Sequence, residues 1–441
     1  MTHPATREFL QSAARQPAFQ SLLQSLIRSE HGPFSVSGLV NTAKALYIVL
    51  LYQATEKPVF VLVDGNKQAE TLLESIEVFF NLLFEGRDLP APQLVPALDV
   101  LPHQRLSPHN EIEEKRAIAL WRLSTQRVPI TVAPVASALL RTESAEFYRQ
   151  LALTLRTGDE LPLEDLVQHL ESIGYERREP VEMVGEYSIR GGILDVFPAE
   201  NSRPARVEFF GDEIESIRQF DVASQRSILK VASVPLLPLA EYPRSRSLLR
   251  QLAEAADNLD LELSNPGETF PGWEFLVPLV RPRSHSLLSL SADSIVVMDE
   301  PLDIASAADR LWQRLENPER PALLSPAENF LAWTQWNENL KDRTTISFEQ
   351  LPLTGAAHFD IPTRPSLTFQ GNIPVALAEA RNLIQAGNRI AFFAPSTGEI
   401  ERLADVLQEY ALPYQLGLES STGARSALTE RAYHAGALAS G

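Results

Sequence analysis

A loop that holds nucleotide phosphates needs particular residue types. Glycines let backbone N–H groups wrap the anion, a lysine reaches the β- and γ-phosphates, and a Ser or Thr hydroxyl holds magnesium. The segment Gly38-Leu39-Val40-Asn41-Thr42-Ala43-Lys44-Ala45 has the first glycine and the lysine. Ala43 stands where the second glycine is needed, Ala45 replaces the hydroxyl, and Asn41 puts a side chain inside the expected loop. Two of four functions are gone, so the loop is degenerate and the sequence predicts weak or absent ATP binding, no hydrolysis and no cofactor. Farther on, Asp299-Glu300 closes an apolar run, as in motors where an Asp holds magnesium and a Glu polarises water. Without a working phosphate loop, the pair reads as exposed carboxylates at a strand end. The competing reading is a nucleotide-binding helicase half that uses Lys44 with Asp299 and Glu300.

No other catalytic constellation stands out. There is no Gly-x-Ser-x-Gly elbow and no His-x-x-x-His pair, and His103 and His109 sit in a proline-bearing loop that reads as surface. The chain has no cysteine, which excludes disulfides, thiolate zinc sites and cysteine nucleophiles. No catalytic residue and no metal ligand is assigned.

A second cluster points to binding. In Arg206-Val207-Glu208-Phe209-Phe210, alternate residues face opposite sides of a strand. Val207 and Phe209 take the core side, leaving Arg206, Glu208 and Phe210 on the other. In Tyr187-Ser188-Ile189-Arg190, Ser188 and Arg190 share a side. If the strands pair, Arg190, Arg206 and Phe210 form one patch, and exposed Arg and aromatic residues are the usual energetic centres of interfaces. The alternative buries Phe210 beneath a helix and pairs the arginines with Glu208, Asp212 and Glu213.

The elements that must position these residues follow from periodicity. Residues 1–30 and the stretch after Gly38 read as helices. Val59–Val63, Val128–Ala133 and Asp293–Glu300 read as buried parallel strands, with helices at 67–83 and 303–315. Strand alternating with helix argues for an α/β parallel sheet. Beyond Gly174, four short strands (185–190, 192–197, 205–210, 213–220) are punctuated by Gly191-Gly192, by 198–204 and by Gly211-Asp212, an antiparallel meander. The expected organisation is a split α/β domain (1–145 and 241–355), an inserted α+β domain (146–240) and a small C-terminal α/β domain (365–441). That last unit is read as a helix at 375–386 with a strand at 389–394.

With 441 residues, 44% of them apolar, the chain is long enough for several packed domains. Its net charge of −18 argues against general binding to DNA or anionic membranes, because phosphate affinity comes mostly from Lys and Arg. Direct binding of damaged DNA therefore ranks low. No signal peptide is expected, and the longest apolar stretches fall short of the ~20 residues a membrane helix needs, so the expected location is the cytoplasm.

The run Gly185-Glu186-Tyr187-Ser188-Ile189-Arg190-Gly191-Gly192-Ile193-Leu194-Asp195-Val196-Phe197-Pro198, with Arg206 to Arg218 and Phe220-Asp221, closely resembles the bacterial transcription-repair coupling factors (Mfd). Leu101-Pro102, Ser107-Pro108, Pro134-Val135 and Phe369-Gln370-Gly371-Asn372 fit the same family. The resemblance implies a helicase-like module similar to the excinuclease subunit UvrB but no longer able to hold nucleotide, and an N-terminal fragment of a longer ATP-driven translocase. It implies that the inserted domain docks UvrA through Arg190, Arg206 and Phe210. RNA polymerase and DNA would be contacted only by later domains.

Overall fold

The computed structural model describes residues 4–28, 33–125, 127–257, 268–316, 322–350, 357–365, 368–392, 394 and 396–416. A seven-stranded sheet forms the centre of the larger layer. Its strands are β1 (Pro33–Ser37), β2 (Val59–Val63), β3 (Gln93–Leu94), β4 (Ile130–Pro134), β13 (Ile295–Asp299), β14 (Thr345–Phe348) and β15 (Ala357–Asp360), in the order β15-β1-β14-β13-β2-β4-β3. Every pairing is parallel. Strands from both ends of the chain therefore complete one sheet.

Both faces of this sheet are covered, which is why its strands read as continuous apolar runs. Val59, Val61 and Val63 enter one core with the helices Asn41–Thr55 and Asn66–Phe84, while Phe60 and Leu62 enter the core on the opposite side. Val297 and Val296 divide in the same way.

A second sheet is built from β6 (Glu176–Arg177), β7 (Glu186–Arg190), β8 (Ile193–Val196), β9 (Ala205–Phe210), β10 (Glu213–Phe220) and β11 (Ser227–Val231), in the order β11-β10-β9-β8-β7-β6. Strands β7 to β11 are antiparallel, as the glycine punctuation predicts. Gly191 turns the β7–β8 hairpin at φ +61°, a conformation glycine adopts without steric cost. A short ribbon of β5 (Leu153–Arg156) and β12 (Ser233–Leu236) closes the unit. Its inner face, with Tyr187, Leu194, Val196, Val207, Ile214 and Ile217, joins the core that holds Phe60 and Leu62. The architecture is thus an α/β parallel sheet with an inserted, mainly antiparallel α+β unit.

Charged groups line the junction between the layers. Arg116, fully buried, donates from Nε to Glu241 Oε2 at 2.8 Å and from Nη1 to Ser137 and the Pro96 carbonyl. Beside it, Glu113 accepts from Arg244 at 3.2 Å and shares a hydrogen bond with the Glu274 carboxyl, which also accepts from Ser107. Burial first, and then the charge of Glu113, push the Glu274 carboxyl up to about 7.

At the C-terminal end, the helices Ile373–Gln385 and Thr397–Glu409 pack through Leu377, Ala380 and Leu407, joined by Leu412 just after the second helix. Among the described residues, the strand expected at 389–394 does not form. Residues 389–392 and 394 lie outside any strand, and Phe393 falls outside the described residues. A strand needs a neighbour for its backbone hydrogen bonds, and none lies beside this segment among the described residues.

Candidate functional site

The outer face of the second sheet brings Arg190 and Arg206 together at one acid. The register aligns Ser188 with Asp195 and Asp195 with Arg206, while Arg190 aligns with Ile193 and Ile193 with Glu208. Even spacing along each strand puts all of these on one side. Asp195, whose side chain is 2% exposed, receives both arginines. Arg206 grips it through Nε (2.7 Å to Oδ1) and Nη2 (2.8 Å to Oδ2), and Arg190 donates from Nη2 to Oδ2 at 2.7 Å. These hydrogen bonds hold the Arg206 guanidinium above its already high ordinary value, so its charge is permanent. Its plane also lies over the Phe220 ring at 4.8 Å, and Nη1 reaches the Gln225 carbonyl.

Phe210 is 79% exposed at the far end of β9, about 13 Å of strand from Arg206. Among the described residues, no helix covers it. The arginines also do not pair as the alternative expected. The acid that holds both is Asp195, with Glu179 3.9 Å from Arg190, while Glu208 accepts from Ser216 and lies 3.5 Å from Arg218. Asp195 carried a signal in the sequence: it is an acid in the middle of the otherwise apolar strand Ile193-Leu194-Asp195-Val196. Its meaning needed the register.

The degenerate nucleotide segment lies at the carboxyl end of the parallel sheet. The helix begins at Asn41, so Asn41 stands in its first turn rather than inside a loop, and only Gly38, Leu39 and Val40 separate it from β1. Ala43 and Ala45 face inward on that helix, half-buried and buried. The short connection is stitched shut by the chain after β15. Thr363 Oγ1 accepts from Val40 N (2.8 Å) and donates to the Gly38 carbonyl (2.7 Å). Gly38 has φ +83°, and a Cβ there would stand 2.7 Å from the Ile361 carbonyl oxygen.

Lys44 is buried and committed. Its Nζ donates to Asp299 Oδ1 at 2.6 Å and to Glu300 Oε1 at 2.8 Å. Burial pulls the ammonium down, but the two carboxylates outweigh it and leave Lys44 above its ordinary value. Gln68 Nε2 donates to the other Asp299 oxygen at 2.9 Å. The expectation of exposed carboxylates is corrected for Asp299, which is 4% exposed; Glu300 is half-buried, with a left-handed φ of 60°. The physical reason is the lysine. With a cation at the strand end, the acids turn inward to it, satisfying charges that would otherwise be costly to bury. Gln68 and Thr363 were not foreseen, because neither has a local motif.

Comparison with known proteins bears on the second sheet and on the chain as a whole. The family described as "UvrB interaction domain" matches residues 153–242, which contain the whole second sheet. A transcription-repair-coupling factor of Mycobacterium bovis is 30% identical over 448 aligned positions, covering 91% of this chain. The chain is homologous to transcription-repair-coupling factors. Those of Haemophilus influenzae and Escherichia coli are 28% and 29% identical, over 72% and 70% of the chain. The chain spans about a third of the length of these coupling factors: 35%, 30% and 29% respectively. Among the described residues, no helix is long and apolar enough to cross a membrane.

Proposed function

We propose that this chain is a docking module that binds the excinuclease subunit UvrA through Arg190, Arg206 and Phe210, recruiting it to stalled transcription complexes at the start of nucleotide excision repair. Its work is binding in the cytoplasm, without catalysis or cofactor. Contacts with RNA polymerase and DNA belong, in this proposal, to segments outside this chain.

One observation carries the reading. Two guanidinium groups converge on a single buried carboxylate, on the face from which a phenylalanine projects into solvent. A shared acid fixes two long cationic side chains at little further entropic cost on binding, and pre-ordered Arg and aromatic anchors dominate interface energies. The match of the surrounding segment to the UvrB interaction domain supports the same reading. The helicase-half alternative has less behind it, because Lys44 already spends its charge on Asp299 and Glu300.

The test is calorimetric titration of UvrA into the chain and into Arg206→Ala. A loss of about 2 kcal/mol or more, tens of fold in affinity, is expected. Equal affinity for both would remove the proposal.

A further inference from the structure

The register of the second sheet continues beyond Arg206. Arg206 aligns with Arg218 on β10, and Arg218 aligns with Lys230 on β11, so Ser188, Asp195, Arg206, Arg218 and Lys230 form one row across five strands. The adjoining row holds Arg190, Ile193, Glu208 and Ser216. Together the two rows carry four cations and two acids, on a chain whose net charge is −18.

Like charges directly opposite each other on a sheet repel. Here three cations follow in succession, and the local acids do not cover them all. Asp195 is taken up by Arg190 and Arg206, and Glu208 is shared between Ser216 and Arg218. Lys230 is exposed and makes no ion pair with a described residue. Strand β11 is the sheet's edge, and Ile228, two residues before Lys230, is 51% exposed. The row thus ends in an unneutralised cation with an apolar neighbour, at a border where another chain can be added.

We propose that the docking surface runs on from Arg190 and Arg206 to Arg218 and Lys230, and that these two cations take an acidic segment of the protein partner. The inference rests on the docking reading above. An acidic peptide fits better than a nucleic acid, because interleaved Asp195 and Glu208 and a strongly negative body repel a continuous polyanion, whereas single carboxylates can sit between them.

The experiment titrates purified UvrA into the wild-type chain, Arg218→Ala, Lys230→Glu and Arg206→Ala at two salt concentrations. Circular dichroism confirms the fold of each variant. Arg206→Ala reports on the docking reading and the other two on its extension. The expected result is roughly tenfold weaker binding for Lys230→Glu, a smaller loss for Arg218→Ala, and a flatter salt dependence for both. If Arg206→Ala loses binding while Lys230→Glu and Arg218→Ala bind as wild type with the same salt dependence, the surface stops at Asp195 and the extension is overturned. If Arg206→Ala binds as wild type, the docking reading fails and takes the extension with it. If Lys230→Glu leaves UvrA binding intact but abolishes binding to a duplex DNA probe, the assignment to an acidic protein segment is overturned.

Discussion

Lys44 Nζ lies 2.6 Å from Asp299 Oδ1, although the two residues are 255 positions apart in the chain. Both groups are buried, so the contact is an internal tie between the first helix after β1 and the end of β13. Breaking a buried pair by removing one partner strands the other charge. Lys44→Ala should therefore cost about 3–5 kcal/mol in urea unfolding. A lysine kept only for phosphates would leave stability unchanged on substitution.

The connection between β1 and its helix makes a second prediction. Gly38→Ala adds a Cβ at φ +83° and 2.7 Å from a backbone oxygen. Strain and clash together should lower stability by roughly 1–3 kcal/mol. A melting temperature equal to wild type would mean that the chain after β15 does not hold this turn closed.

Glu274 sets a pH dependence. Its carboxyl titrates near 7 in the folded chain against an ordinary value of 4.5, so the folded state holds the proton more tightly. Stability from this group is fully present below 4.5 and is lost as pH rises from there through 7, by roughly 3 kcal/mol in all. The groups facing it are Glu113, Ser107, Arg244, Glu241 and Arg283. Glu274→Gln keeps a neutral hydrogen-bonding group there. Its melting temperature should match wild type at pH 5 and exceed it at pH 8, and a constant difference across that range would refute the assignment.

Phe210 separates binding from folding. It is 79% exposed and contributes little to the core, so Phe210→Ala should change unfolding free energy by no more than about 0.5 kcal/mol. In the same variant, UvrA affinity should fall by about 2 kcal/mol or more. Retained affinity would exclude the ring as an anchor.

How far the sequence could be read depended on whether the signal was local. The hairpins from 186 to 220 were visible because Gly191 and Gly211 mark turns between strands of alternating character. Val59–Val63 and Ile295–Met298 were visible as unbroken apolar runs. Thr345–Phe348 and Ala357–Asp360 were not, since each is short, partly polar, and paired to β1 more than 300 residues away. At the outer sheet face, alternation alone grouped Arg206 with Phe210, but Asp195 needed the pairing of three strands. The tail shows the converse error. Arg389 to Phe392 looks like a strand, yet no partner strand lies beside it among the described residues, and Phe392 is 45% exposed.

Sheet order also governs how this chain is made. β1 pairs with β14 and β15, so its first neighbour leaves the ribosome about 310 residues later. At ~5–20 residues per second, that is a wait of roughly 15–60 seconds with an unpaired strand. The six strands between 176 and 231 need no such late arrival to pair with one another. During translation the inserted sheet can take shape first, as a folded island between two halves of a layer that still await each other.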